Sequence, residues 1–541
     1  MCAARQRLLR KNSLQPESGK ESVMSQEMGR TEKSVRNMKF AMIAQAVTMI
    51  LTFVSKPVII HLVGIEAHSI NSLFTQVISA ISLAEMGVGS AIVYNLYKPL
   101  AEGDHKKVSE LMNLFRTAYL AIGVATMVIG AALTPFLHFL IKGIDKYDFT
   151  YIRIAYLMFV FQSATSYLFS YKASLLEADQ NAYLYTIVST ISRVIGTVVA
   201  LVMLAITREY LVYLGVNIAQ SIASNFYASR VADKTYPYLN KKDKLSREDR
   251  RSVFANIKNL FIMLFAGKVV DSTDNMLISA LVNTIVSGIY ANYITVTAIF
   301  KQLSAKLMSA TTASMANLFV TEDDEKKITN LNRMTFIFYV YASFASVGTY
   351  VCIQPFVKMW IGNLYLLDIY EVAMICILCF VSIVFEPLKN AMFLTGDFVV
   401  GRNISFISAM TNLIVSIVLG RQIGLLGILC GTMCTYLIEV VAKTYFLFRD
   451  YFKTSSAEYA FMWVKMSLVF GGEMVAMHYV DQAITLPVLL EFLVMGVISV
   501  VLTAIVITLV FGRTDPYKFT VWFAKDSFGK VLRKIGLSKR A

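Results

Sequence analysis

A chain of 541 residues, 56% hydrophobic and only 16% charged, with a mean hydropathy of +0.58, lies outside the composition of soluble globular proteins and excludes a water-soluble domain. The net charge of +15 would suit a nucleic-acid binder, but basic residues placed between apolar stretches are the topological signal of a membrane protein. No nucleic-acid partner is expected.

A helix needs roughly 20 apolar residues to cross the hydrocarbon core of a bilayer. Stretches of that order run from Phe40 to Leu62, Ile70 to Leu96, Leu114 to Leu140, Ile152 to Leu176, Tyr183 to Ile206 and Tyr210 to Val231. After a polar break they resume from Ile257 to Leu281, Ile285 to Leu307, Phe336 to Phe356, Val372 to Leu394, Ile404 to Leu419, Gly424 to Phe448, Phe461 to Val480 and Leu486 to Phe511. Runs such as Val497 to Ile507 are apolar on every face, whereas barrel strands alternate apolar and polar residues. The expected fold class is therefore all-α, a polytopic membrane protein with about fourteen transmembrane helices.

Short loops rich in Lys and Arg stay cytoplasmic. The densest basic segments are the amino-terminal tail, the break carrying Arg230, Lys234, Lys241, Lys242, Lys244, Arg247, Arg250 and Arg251, and the carboxyl tail from Lys518 to Arg540. Even numbers of crossings separate them, so both termini are expected on the cytoplasmic side of the cell (inner) membrane. The tail before Phe40 lacks the apolar core of a cleavable signal peptide and reads as a flexible arm able to touch anionic lipid. The expected organisation is an arm (1–39), a six-helix lobe (40–232), a basic linker (233–252), a second six-helix lobe (253–450), two additional helices (451–512) and a basic tail (513–541).

A weak internal repeat accompanies this division. At an offset of 219 residues Ile59 to Val77 overlays Ile278 to Val296, matching Ile59 with Ile278, Leu62 with Leu281, Val63 with Val282 and Ile70 with Ile289, and Ser69 with Ser287 after a one-residue shift. Transporters are commonly built from such duplications.

Most of the six cysteines sit inside apolar stretches and form no disulfide framework. Cys376 and Cys379 make a CxxC spacing without a second pair or a nearby His, so neither a metal nor a redox role is expected. No nucleophile elbow, phosphate loop or HExxH pattern occurs, and no catalytic residue or cofactor is assigned.

Function is sought instead among ionisable residues inside spans, each costing roughly 2.5 to 3.5 kcal/mol unless it finds water or a partner. In the seventh stretch Lys268, Asp271 and Asp274 recur every three residues and share one helix face. Arg193 lies mid-span in the fifth, Lys56 precedes Pro57 in the first, and Glu85 lies in the second. Cavity-lining roles follow for these six, with Lys268, Arg193 and Lys56 as anion-binding residues and Asp274, Asp271 and Glu85 as ion-coupling carboxylates. Glu439 and Lys443, four apart, are expected to pair structurally. Glu473 and His478 fall in the added helices and read as peripheral, while Glu386-Pro387 is expected to break its helix.

The segment Leu83-Ala84-Glu85-Met86-Gly87-Val88-Gly89-Ser90-Ala91, followed by Tyr94-Asn95-Leu96-Tyr97-Lys98-Pro99-Leu100-Ala101, resembles bacterial polysaccharide and oligosaccharide-lipid flippases of the multidrug/oligosaccharidyl-lipid/polysaccharide exporter superfamily. Supporting echoes are Leu176 to Gln180, Ser272-Thr273-Asp274-Asn275 and Gly424 to Thr432. The resemblance implies two six-helix lobes around a cavity open alternately to either side of the membrane. It implies as substrate an isoprenoid-pyrophosphate-linked glycan, with membrane lipids, a proton or sodium ion and other polysaccharide-assembly membrane proteins as partners. A multidrug exporter of the same superfamily and a membrane polysaccharide polymerase or glycosyltransferase are the alternatives.

Overall fold

The computed structural model describes residues 17–144, 146–240, 243–247, 249–251, 253 and 273–534. Among these every regular element is helical. Hydrocarbon offers no partner to a free backbone N–H or C=O, and a helix satisfies both within one segment.

The long helices are α1 (Glu17–Val63), α2 (Ile65–Ile81), α3 (Leu83–Glu102), α4 (His105–Leu133), α5 (Phe149–Ala178), α6 (Ala182–Thr207) and α7 (Tyr210–Thr235). They continue with α8 (Thr284–Thr321), α9 (Asp324–Trp360), α10 (Ile369–Leu394), α11 (Phe398–Ile423), α12 (Leu425–Phe446), α13 (Ala457–Ala483), α14 (Val488–Phe511) and α15 (Asp515–Lys534). Ten of the described helices are long and apolar enough to cross a bilayer, and the chain is a multi-pass membrane protein. The other expected crossings fall on α2 with α3, on the more polar α7 and α8, and on the stretch from Ile257, which is described from residue 273 as a helical turn followed by a π-helical turn, Ile278–Val282.

Three local expectations change. The arm expected to be flexible is helical from Glu17 and continuous with the first span. The second stretch is divided at Ser82 into α2 and α3. Helix α10 passes through Pro387 without ending, because neighbouring helices and side chains in a membrane bundle re-satisfy the backbone groups a proline frees; Glu386 pairs with Lys389 at 2.8 Å on the same helix.

The chain forms two compact units from interleaved segments. The first comprises residues 1–63, 81–134 and 149–262, and the second 64–80, 135–148 and 263–541. The core of the first is built by Ile92, Leu96, Phe115, Tyr119, Tyr167 and Leu175 from α3, α4 and α5. The polar segment after α7 folds back onto α4. Asn113 Nδ2 donates to Asn240 O at 2.7 Å and to Asp243 O at 2.9 Å, and Lys107 Nζ donates to Asp249 Oδ2 at 2.6 Å. Bonds from Lys107 and Ser246 hold the Asp249 carboxyl below its ordinary range.

In the second unit the repeat has a physical counterpart. Helix breaks fall at equivalent places, at Gly64, whose φ is +98°, and at Asn283, whose Oδ1 accepts from Ile285 N at 2.7 Å. Ser69 and Gly288, equivalent under the 219-residue offset, meet directly: a Cβ on Gly288 would lie 1.9 Å from Ser69 Oγ and 2.7 Å from Ser69 Cα. The two copies of the motif thus touch through equivalent positions.

Helices α11 and α12 approach equally closely. Gly427 and Gly431, four apart on α12, would carry Cβ atoms 2.2 Å from Leu419 O and 2.0 Å from Ser416 Oγ. Small residues at this spacing are how membrane helices bring their backbones together, since lipid supplies little hydrophobic drive. At the other end of the unit, Arg333 of α9 grips Asp515 of α15 with two hydrogen bonds of 2.8 and 3.0 Å.

Two measurements check this packing. Gly431→Val is expected to lower the thermal stability of the purified protein by about 1–3 kcal/mol, the usual cost of overpacking. Asp249→Asn is expected to speed proteolysis of residues 236–251 at neutral pH. Because the carboxyl is held below its ordinary value, its contribution is present above that range and fades as pH falls through the folded value, so the two proteins should be cleaved alike in strong acid.

Candidate functional site

Of the six residues singled out in the sequence, the structure describes the side chains of three. Lys268 and Asp271 lie outside the described residues, and Glu85 lies within α3 with its side chain outside them. Lys56 is half-buried in α1 and Arg193 is exposed on α6, both in the first unit. These two helices pack together where Asn37 Nδ2 donates to Gln180 O at 2.8 Å and the Arg36 guanidinium sits 3.9 Å from the Tyr183 ring centroid.

Asp274 belongs to the second unit, where three elements converge on it. Thr432 Oγ1 of α12 donates to Asp274 Oδ2 at 2.8 Å. The same oxygen accepts from Asn412 Nδ2 of α11 at 3.3 Å, so the threonine hydroxyl turns its only proton to the carboxylate. Asn412 is buried, as is Tyr290 of α8, and the Asp274 carboxylate acts electrostatically on the Tyr290 hydroxyl, with Tyr436 of α12 contributing as well. One residue on, Asn275 accepts the Ser287 hydroxyl on its carbonyl at 3.2 Å and on Oδ1 at 3.4 Å, which locks this turn to α8.

The glycines described above are what make the site possible. With bulkier residues at 427 and 431, α12 would stand off from α11, and Asn412 and Thr432 would lose contact. The motif Gly424 to Thr432 carried that signal in the sequence. Asn412 and Tyr290 did not stand out there, because one neutral polar residue in an apolar helix draws no attention by charge. A carboxylate with hydroxyl and amide groups around it is oxygen-rich chemistry, able to exchange a proton or take a hard cation.

The other intramembrane pair behaves as expected. Lys443 donates to Glu439 one helical turn away, Ser405 and Ser408 donate to Glu439 Oε1 at 2.7 and 3.1 Å, and Lys443 Nζ lies 5.1 Å from the Phe385 ring centroid. Every charge in the cluster has partners, and its role is packing. The added helices, by contrast, are not peripheral. His478 of α13 binds Tyr350 Oη at 3.0 Å, and Glu473 is 1% exposed. The two helices fit against α9 along much of their length, which the charge pattern alone does not reveal. Helices α9, α10, α12 and α13 also line an open-sided cavity of about 530 Å³ whose walls include Tyr350, Phe380, Met433, Phe470 and Met474.

Long apolar helices in two compact units and a polar cluster buried among them define a multi-pass helical membrane protein. No family model matches the chain, and neither does any curated protein sequence. Solved structures do. A lipid II flippase, MurJ, in an inward closed conformation matches with a TM-score of 0.65 at 13% identity, over 88% of this chain and 99% of that one. An inward-facing multidrug resistance MATE family transporter of the MOP superfamily matches at 0.62 and 12% identity, over 73% and 93%. A Vibrio cholerae MATE transporter, VcmN, in mutant form, matches at 0.51 and 12%, over 78% and 98%. The chain has the fold that these transporters share.

The Asp274 cluster is checked by substitution at Thr432. Thr432→Val removes a hydrogen bond to a charged group and is expected to cost about 1.5–3 kcal/mol of stability, whereas Thr432→Ser is expected to retain most of it. A loss in Thr432→Ser with none in Thr432→Val would mean that the methyl group, not the hydroxyl, matters.

Proposed function

We propose that this chain is a flippase of the multidrug/oligosaccharidyl-lipid/polysaccharide exporter superfamily that carries an isoprenoid-pyrophosphate-linked glycan from the cytoplasmic to the outer leaflet by alternating access. The observation that carries the reading is the extent of the fold likeness. MurJ, a lipid II flippase by name, is covered over 99% of its length and takes in 88% of this chain, against 73% and 78% for the two MATE transporters. The sequence motifs around Glu85 and Thr432 point to the same superfamily.

In this reading the lobes are residues 40–232 and 253–450, joined by the basic segment 233–252, and both termini are cytoplasmic in the inner membrane. Lys268, Arg193 and Lys56 bind the pyrophosphate, which needs cationic partners away from bulk water. The apolar walls of the cavity lined by Phe380 and Phe470 suit a hydrocarbon chain. A headgroup of about two negative charges moving outward across ~100 mV, inside negative, gains about 4.6 kcal/mol, so the membrane potential favours export. Counter-movement of a proton or sodium ion would add to it, with Asp274, Asp271 and Glu85 as the coupling carboxylates. The Asn412, Thr432 and Asp274 chain supports this role for Asp274, since an ion arriving there reorients a threonine hydroxyl shared between two helices.

The test is reconstitution of the purified protein in vesicles, comparing outward movement of a lipid-linked oligosaccharide with efflux of cationic dyes. Movement of the lipid-linked substrate, slowed at least tenfold in Arg193→Gln and unchanged in Glu386→Gln, is the expected result. Dye efflux without lipid-linked transport would move the assignment to a multidrug exporter. In the same vesicles Asp274→Asn should abolish any dependence on a sodium or proton gradient, and a gradient response intact in that variant would remove Asp274 from the coupling role.

A further inference from the structure

Glu473 lies on α13, and neither of its carboxylate oxygens has a hydrogen-bond partner among the described residues. At 1% exposure it is as buried as the apolar core, a position at which a carboxylate demands compensation. What surrounds it is a set of other oxygens. Tyr339, Ser343 and Ser346 follow one another along a single face of α9; all are buried, and neither their hydroxyls nor Thr503 Oγ1 of α14 makes a hydrogen bond of good geometry among the described residues.

The helix register brings these groups to one level. Thr335 Oγ1 meets Tyr459 Oη at 3.1 Å and Tyr350 Oη meets His478 Nδ1 at 3.0 Å, which pins α13 alongside α9. Glu473, five residues before His478, then lies level with the Ser343 to Ser346 turn, and its charge reaches the Tyr339 hydroxyl. On α14, Phe511 packs on Phe336 with ring centroids 5.2 Å apart and Ser499 Oγ comes 3.6 Å from where a Gly348 Cβ would stand. Thr503, one turn from Ser499, faces the same serines.

No described basic group answers the carboxylate. Lys465 of α13 donates to Val510 O at 3.4 Å and lies over the Phe511 ring, and the two His478 nitrogens are taken by Tyr350 and Gln482. From α10 the nearest titratable group is the Cys379 thiol, which faces Ser346. The donor set is thus one carboxylate and four hydroxyls, all oxygen, with one negative charge. Ser343 interacts with Tyr339 along α9 and Ser346 with Cys379, but none of these hydroxyls reaches the Glu473 carboxylate as a hydrogen-bond partner, and oxygens spaced more widely than a hydrogen bond are what a central hard cation with ligands at about 2.3–2.6 Å requires.

We propose that Glu473, with the hydroxyls of Tyr339, Ser343, Ser346 and Thr503, forms a binding site for one desolvated monovalent cation of the sodium type, joining α13 and α14 to α9. The site shares no helix with Asp274, Thr432 or Asn412 and stands whatever substrate the protein carries. A cation bound here stabilises the attachment of α13 and α14, by the general rule that a ligand binding only the folded state raises its stability.

The experiment uses the full chain purified in detergent. Thermal unfolding is followed in sodium chloride and in choline chloride of equal ionic strength, and radioactive sodium binding is measured in parallel. The expected result is a saturable rise in melting temperature with sodium, reduced in Glu473→Gln and kept in Glu386→Gln, with one bound sodium fewer in the former. Ser343→Ala, which leaves the carboxylate in place, is expected to keep the fold by circular dichroism and to weaken sodium affinity several-fold. Sodium stabilisation and stoichiometry unchanged in both Glu473→Gln and Ser343→Ala would overturn the site, as would wild-type stability that responds to pH and not to sodium, which would assign a proton to Glu473. Because the readout is sodium binding and not transport, a negative flipping assay leaves it untouched.

Discussion

The hydrogen bond from Thr432 to Asp274 depends on most of what surrounds it. An ionised carboxylate in the interior of a helical bundle is tolerated only with donors at hand, and here the donor comes from a different helix, more than a hundred residues away in the chain. It arrives because α11 and α12 pack backbone to backbone through Gly427 and Gly431. Asn412, brought by the same contact, fixes the direction of the hydroxyl. Small residues with no chemistry of their own thus determine where the chemistry can occur.

The buried charges of the second unit fall into two kinds. Glu439 and Lys443 neutralise each other within one helix, with two serines and a phenylalanine ring completing the shell, an arrangement that holds helices in register and has little left to give to a ligand. Glu473 has no cation one helical turn away on α13, and Asp274 is reached by a threonine hydroxyl from another helix. Their surroundings are hydroxyls, amides and phenols, groups that can turn toward either a proton or a metal ion. In a membrane protein buried carboxylates in such surroundings are where function is sought.

The repeated motif adds a geometric constraint. Two stretches that end in a helix break, at Gly64 and at Asn283, lead into helices that touch at Ser69 and Gly288. Such contact between equivalent positions leaves no room for a side chain on one of them, and the chain has glycine there. The weak identities between Ile59 to Val77 and Ile278 to Val296 therefore reflect a shared local geometry, although chance matches are common between apolar helices.

Hydropathy and charge placement by themselves establish that the chain crosses the membrane many times as helices, because a hydrocarbon solvent leaves the backbone almost no other choice. The pairing of Glu439 with Lys443 was legible for the same reason: four residues of separation put them on one helix face. Asp274 could be singled out by its cost, yet its partners Thr432 and Asn412 could not be paired with it, since the distance between helices is a property of packing that sequence separation does not encode. Glu473 shows the same limit more sharply. On the sequence it is an isolated acid in an added helix, and only the register of α13 and α14 against α9 surrounds it with four hydroxyls. One-dimensional periodicity says which face of a helix a residue occupies; what stands opposite that face is decided when the helices meet.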